Sequence, residues 1–389
     1  MGSTDRLRRN SLVAIAAAAL AASGLAASPV ATAQPGQVGR SDPARSRLVA
    51  HGLDNPRLLG FDAHGRLYVA EAGKGGKLRC GPGPEGGTVC LGMSGAITRV
   101  WRGHQRRIVD RLPSIAGKDG TSALGPADVR VGRGHVWISV GAGIDAKQRR
   151  AFGKRAMLLG TLLRTTVAHP RSRHVLADIV RFERRNNPDH SKAHDSDPTG
   201  FVPDGHSFVL ADSGGNDILR IRRGGAVRVM AVLKDRMVPA PDFLGLPPGT
   251  KIPMQAVPTA VARGARAFYI SQLTGFPFPV GAANIYKLRP GHRPRVWASG
   301  LTNVTDLAWH RGRLYAVEIA SDGLLAAETG GGLPMGALIR VHKGDNSSPH
   351  VVAGNLPAPY GVALRGAAAY VTTCAVCPGG GSVMRIPVG

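Results

Sequence analysis

Between residues 47 and 389, apolar and polar positions alternate in short runs broken by Gly and Pro, and helical spacing is nearly absent. Six segments align. They are "PRLLGFDAHGRLYVAEAG" (56–73), "PADVRVGRGHVWISVGAG" (126–143), "PTGFVPDGHSFVLADSGG" (198–215), "PTAVARGARAFYISQLTG" (258–275), "VTDLAWHRGRLYAVEIAS" (304–321) and "PYGVALRGAAAYVTTCAV" (359–376). Each reads as a strand, a tight turn and a second strand centred on Tyr68, Trp137, Val209, Tyr269, Tyr315 or Tyr370. A third strand follows in "GAITRV", "GTLLRT", "NDILRI", "ANIYKL", "GALIRV" and "GSVMRI". A fourth follows five of them, in "RRIVDRL", "HVLADIV", "VRVMAVL", "RVWASGL" and "HVVAGNL". Four-stranded units repeated in β-rich sequence predict propeller blades.

The sixth unit lacks a fourth strand. Its counterpart is "RLVAHGL" at 47–53, which resembles "RVWASGL" at 295–301. The expected fold is therefore all-β: a six-bladed β-propeller over 47–389 whose N-terminal strand closes the last blade. Closure hides sheet edges that would otherwise pair with other chains.

Antiparallel order sorts the connections by parity. Turns one-to-two and three-to-four share one face and are short, as in "DAHG", "GRG", "PDG" and "RRGG". Loops two-to-three and blade-to-blade share the other face and carry the length: 72–94, 141–158, 180–197, 234–256, 272–282, 319–335 and 374–380. Long loops on a rigid scaffold are where binding residues concentrate.

Second strands end on this elaborated face at Glu71, Val140, Asp212, Gln272, Glu318 and Thr373. First strands begin there, near the axis, at Arg57, Asp128, Thr199, Thr259, Thr305 with Asp306, and Tyr360. Oxygen ligands around a channel suit a hard cation such as Ca²⁺. The competing reading has these acids pair with Arg57 and other arginines at blade edges. In "NNPDHSKAHDSDP" (186–198), Asp189, His190, His194, Asp195 and Asp197 make a possible zinc or manganese set. A hydrated polar loop is the favoured reading, because nothing in a Pro-flanked loop holds the two His on one face as a helix would.

"DSGGNDILRI" (212–221) is the one short two-to-three connection, expected to leave the mouth open at the third blade. Asp212, Asn216 and Asp217 can bond turn amides there. "LTGFPFPVG" gathers Phe276 and Phe278 in a chain that is only 5% aromatic. They read as a plug over the channel or as an apolar platform for a ligand.

Ahead of the repeats, Arg6, Arg8 and Arg9 precede an Ala-rich apolar run that ends in "ATA" at 31–33. Residues 1–33 are read as a signal peptide and 34–46 as a flexible N-terminal segment, so a secreted or extracytoplasmic protein is expected. No later run reaches the roughly 20 apolar residues of a membrane helix. The formal charge of +25 would attract acidic partners such as envelope polymers, although a solvated basic surface in an Arg-rich protein is the favoured reading. No basic helix or aromatic-basic stretch points to specific nucleic-acid binding, and a monomer is expected.

Four cysteines in an exported chain favour disulfides. Cys80 and Cys90 flank a short Gly/Pro loop and should pair; "CAVC" (374–377) fits a tight bridge, a redox pair or two thiols. No G-x-S-x-G elbow, H-E-x-x-H, dinucleotide fingerprint or phosphate loop is present.

"GPGPEGGTVCLGMSGAITRV", "NNPD", "DSGGNDILRI", "KIPMQAVPTAVA", "SQLTGFPFPVGAANIY" and "SGLTNVTDLAW" together resemble the ScyD/ScyE family of exported propeller proteins, from about Arg47 to Gly389. The resemblance implies a propeller and export, and carries over no catalytic residue. The chain departs from the family at His190, His194 and "CAVC".

Two functions follow. In the first, the elaborated face binds a small molecule, peptide or envelope polymer through Arg57, Glu71, Asp128, Asp212, Asn216, Gln272, Phe276, Phe278, Asp306, Glu318 and Tyr360. In the second, a lactonase-like hydrolase holds Ca²⁺ at the axial mouth with Glu71, Asp128, Asp212, Asp306 and Glu318. A quinone-dependent sugar dehydrogenase shares the shape, but no base-and-clamp set supports it.

Overall fold

Strand Arg47–Leu53 pairs antiparallel with Gly381–Pro387, completing a sheet with Ala368–Thr373 and Val362–Arg365. The predicted closure is present. This computed structural model describes residues 46–84, 86–264 and 266–388, so the expected signal peptide and all but the last residue of the flexible segment lie outside the described residues.

The other blades follow in chain order. Blade 1 holds Pro56–Phe61, Leu67–Glu71, Thr88–Trp101 and His104–Ala116; blade 2 holds Pro126–Gly132, His135–Val140, Thr161–Thr166 and His174–Asp178. Blade 3 holds Pro198–Asp204, Ser207–Asp212, Asp217–Arg222 and Val227–Val232. Blade 4 holds Pro258–Arg263, Phe268–Gln272, Ala283–Leu288 and Arg295–Leu301. Blade 5 holds Val304–His310, Arg313–Glu318, Met335–Val341 and His350–Pro357.

The apolar residues of each strand pack between blades rather than within one. Val129, Val136 and Ile138 of blade 2 meet Tyr68, Ala70 and Ile97 of blade 1. Trp137 and Leu162 meet Phe201 and Phe208; Val209 meets Val261; Ile285 meets Leu307. Val317 meets Val371, and Ala50 and Leu53 meet Leu59 and Val69 at the closing seam. Each sheet thus buries both faces against its neighbours, as closure requires.

Hydroxyls on first and second strands stitch each blade to the next around the axis. Ser139 donates to the Thr199 carbonyl (2.5 Å), Ser213 to Pro258 (2.6 Å) and Thr259 to Val304 (2.8 Å). Thr305 donates to Tyr360 (2.6 Å) and Thr372 to Arg57 (2.9 Å). Between blades 1 and 2 Arg57 Nη2 takes this place, donating to the Ala123 carbonyl at 2.7 Å. Thr305→Val keeps the volume and leaves the buried Tyr360 carbonyl without this donor. It should cost about 1–3 kcal/mol in urea unfolding; an unchanged midpoint would remove the stitch from the account of ring stability.

The elaborated face departs from the sequence expectation in carrying three short helices: α1 (Ala146–Ala151), α2 (Ile179–Asn186) and α3 (Leu324–Gly330). Each is too short to show a period, but α1 and α2 have local start signals. Asp145 caps α1 in a reciprocal box with Gln148, and the Asp178 carboxylate accepts the Arg181 amide at the start of α2. Because α2 begins at Ile179, the fourth strand of blade 2 ends at Asp178, short of the predicted Ile179 and Val180. Residues 236–254 add a hairpin, Arg236–Pro239 with Lys251–Met254. The trimmed face has one exception, in which Gly344–Asp345 reaches back to pair in parallel with the outer strand of blade 4.

Cys80–Cys90 and Cys374–Cys377 are both disulfides, so "CAVC" is bridged rather than a pair of thiols. Among the described residues no helix is long and apolar enough to cross a membrane.

Candidate functional site

The acids expected at the mouth sit where predicted but are engaged by the scaffold. Four of the six second-strand termini clasp nearby backbone. Glu71 accepts the Asp54 amide (2.8 Å), Glu318 the Thr302 amide (2.8 Å) and Asp212 the Asp197 amide (2.6 Å). Gln272 accepts the Asn284 amide at 3.0 Å and faces the Arg236 guanidinium at 3.3 Å. Glu71 is further fixed by Thr98 (2.5 Å) and by Arg107, whose Nη2 lies 2.6 Å from Oε2.

First-strand acids staple adjacent blades. Asp128 accepts the Phe201 amide (2.9 Å) and pairs with Arg130, while Asp306 accepts the Val362 amide (2.7 Å). Burial pushes their carboxyls up, Asp128 to about 6 and Asp306 to about 8, and Asp128 adds repulsion at Asp306. Arg57, 4% exposed, stacks its guanidinium 4.7 Å over the Tyr360 ring. Burial pulls Arg57 down and pushes the Tyr360 phenol up to about 12.

Apolar groups fill the axis at this level. A Cβ on Gly200 would stand 2.8 Å from Ala260 Cα and 3.0 Å from Leu58 Cδ2, so only glycine fits between the converging strands. Leu58 and Ala260 continue upward into a cluster with Tyr360, Val257, Leu273 and Leu324. Among the described residues no three Asp, Glu, His or Cys side chains stand at the mutual spacing of metal ligands. With the axial acids committed to amides and guanidinium groups, the residues present do not fit an axial Ca²⁺.

The two phenylalanines, read from the sequence as plug or platform, pack differently. Phe278, in the left-handed region at φ 54°, packs onto the axial cluster, the position a plug would take. Phe276, joined to Pro277 by a cis peptide, is half-buried at the rim. Its ring meets Phe278 and Phe243 edge-on, each at 6.3 Å between centroids. Phe243 lies on the 236–254 hairpin and is 63% exposed.

Hairpin, Phe loop and α3 border an open groove of about 380 Å³ lined by Pro239, Ala240, Pro241, Asp242, Pro277, Pro279 and Leu325. Arg236 anchors the hairpin by donating to the Ala282 carbonyl. None of the hairpin residues was singled out from the sequence. The available signal was "VPAPDFLGLPP", an apolar and proline-rich stretch with no partner strand in the blade pattern.

Blade 3 is also not open at its short connection. Asp195 Oδ2 and the Ser196 and Asp197 backbone approach Gly214, and Glu183 of α2 approaches Gly215. Asn216 holds the rim from the inside, accepting the Val257 amide (3.0 Å) and donating to Asp189 (3.1 Å). His194 Nε2 contacts Asn187 Nδ2 at 3.2 Å, while His190 is exposed, so the predicted His–Asp cluster does not converge.

No family model and no curated protein matches the chain. Solved structures do. A PQQ-bound aldose sugar dehydrogenase from Streptomyces coelicolor is 13% identical, with a TM-score of 0.50 over 89% of this chain and 99% of that one. A gluconolactonase from Xanthomonas campestris is 12% identical, with a TM-score of 0.49 over 94% and 99%. At such identity the likeness concerns the fold alone: the chain is a six-bladed β-propeller.

Proposed function

We propose that this protein is an exported propeller of the ScyD/ScyE type that binds an apolar or aromatic small molecule, or a peptide segment of that character, on its elaborated face. The groove between the hairpin, the Phe loop and α3 carries this reading. Its volume lies within the range of small-molecule sites, and its walls are rigid prolines with aromatic rings alongside. Rigid walls lose little conformational freedom when a ligand is bound. Exposed Phe243, Val280 (63%) and Met237 (59%) extend the apolar surface around it. Two disulfides suit an oxidising compartment.

The fluorescent dye anilinonaphthalene sulfonate, an apolar anion, is a suitable probe for a basic protein with an apolar groove. Saturable dye binding is expected, weakened about tenfold by Phe243→Ala, equivalent to ~1.4 kcal/mol. Because Phe243 is exposed, melting should hardly change, by less than about 0.5 kcal/mol. Dye affinity indifferent to Phe243→Ala would remove the groove as the binding site.

A further inference from the structure

At one level of the third strand every blade carries a basic residue, and each faces a second basic residue directly across on the fourth strand. Arg99 opposes Arg106, Arg220 opposes Arg228, Lys287 opposes Arg295 and Arg385 opposes Arg47. In blades 2 and 5 the pairs are Arg164 with His174 and Arg340 with His350. The third-strand member stands one or two residues before its strand ends, so all six pairs sit at the outer rim beside the trimmed face. With 50 Lys and Arg and 13 His among 389 residues, roughly one position in six is basic. A basic residue at every one of these positions is therefore a property of the repeat, not of bulk composition.

Packing accounts for half of each pair. In four blades the third-strand residue lies across from a buried aromatic of the second strand, Tyr68, Trp137, Tyr269 or Tyr315. Its stem can cover the ring while its head reaches water, as Lys287 Nζ does 5.7 Å over Tyr269. Nothing comparable holds the fourth-strand partners, which are exposed in all six blades. Directly opposed residues leave the same face of a sheet with Cα atoms about 4.5–5.5 Å apart, and like charges so placed repel. Among the described residues, Arg220 alone of these pairs is matched by a carboxylate, that of Asp204 at 2.9 Å. The adjoining turns add exposed Arg102, Arg171, Arg223, Arg293 and Lys343. Three acids stand at the turns of this face, and each is engaged: Asp62 by Arg66, Asp204 also by Arg263, and Asp345 by Ser347. The rim thus keeps repelling cations with almost no counter-charge of its own.

We propose that this basic rim binds a flexible acidic polysaccharide that carries carboxylates along its chain. Guanidinium forks pair with carboxylates through two parallel hydrogen bonds. A flexible polymer can follow sites that recur once per blade around a curved edge, whereas duplex DNA, stiff over about 150 bp, cannot. Single-stranded nucleic acid needs aromatic rings to stack on, and Tyr68, Trp137, Tyr269 and Tyr315 are buried. The rim lies beside the face opposite the apolar groove, so polymer and groove ligand do not compete.

The test is fluorescence anisotropy with labelled alginate, a polyuronate, between about 50 and 200 mM salt. Saturable binding that weakens as salt rises is expected. The triple variant Arg106→Gln, Arg228→Gln, Arg295→Gln should weaken it about tenfold and lower the slope against log salt by roughly two to three. Its melting temperature should hold or rise, because repulsion across the strands is relieved. An equal charge change on the elaborated face, at exposed Arg150→Gln, Arg184→Gln and Lys251→Gln, should alter affinity by less than about twofold. Arg228→Gln alone, with a slope lowered by about one, serves should the rim triple not fold. Equal losses in the two triples would overturn the proposal, since net charge alone would then govern binding. No binding of alginate would overturn it too. So would tighter binding of duplex DNA or of phosphatidylglycerol vesicles that is lost in the rim triple, which would assign the rim to a different partner.

Discussion

Removing residues 47–53 should leave a chain that no longer melts cooperatively and that elutes as aggregate. The strand supplies the outer quarter of blade 6, with Arg47, Leu48, Ala50 and Leu53 in register with Arg385, Met384, Val383 and Gly381. Leu53 is 2% exposed and Ala50 1%, both within the cluster that joins blade 6 to blade 1. Truncating a buried Leu alone costs about 2–5 kcal/mol. Adding the lost ladder bonds at about 1 kcal/mol each brings the deficit near the 5–15 kcal/mol that holds a typical domain together. The freed edge of Gly381–Pro387 would also invite pairing between molecules. Circular dichroism melting and size-exclusion chromatography check this; a soluble, cooperatively melting truncation would show that the ring closes without the strand.

Raising the pH from about 5 to about 9 should destabilise the protein by an amount on the order of 5 kcal/mol. Asp128 and Asp212 are pushed up to about 6, Asp197 and Glu318 to about 7, and Asp306 to about 8, in each case first by burial. Folded values above unfolded ones mean that the folded state holds these protons more tightly. Their contribution is fully present below the ordinary carboxylate range and is lost as pH rises through about 6 to 8. Loss of the Asp306 proton should matter most, because its carboxyl lies in range of Asp128 across the axis. Urea midpoints over this window are the measurement. A midpoint that rises with pH would mean that the amide bonds to these carboxylates outweigh burial. Asp306→Asn should flatten the slope.

Alternation, turn residues and aligned repeats made the blades, their order and the closing strand readable, because those features depend on local chemistry recurring along the chain. Even the second-strand ends were located to the residue: Glu71, Asp212, Gln272 and Glu318 close the strands expected of them. Their roles were not readable. A carboxylate beside an axis looks the same in sequence whether a metal or a backbone amide faces it, and the amides of Asp54, Thr302 and Asp197 leave no mark on composition. Helices of six to eight residues are too short to show a period, which hid α1, α2 and Glu183. The groove was hidden for another reason. It is made where three loops from blades 3, 4 and 5 meet, and no single segment contains it.

The hydroxyl stitches all point the same way around the ring, from each blade to the next, and Arg57 keeps that sense where no hydroxyl serves. A head-to-tail circle of dipoles has almost no net moment, so the hydroxyls of this belt contribute little to the potential felt by an approaching solute, and its one formal charge is that of buried Arg57. The handedness of the loop thus separates cohesion from attraction: the same bonds that hold the hub together leave long-range steering to the arginines on the outer surface.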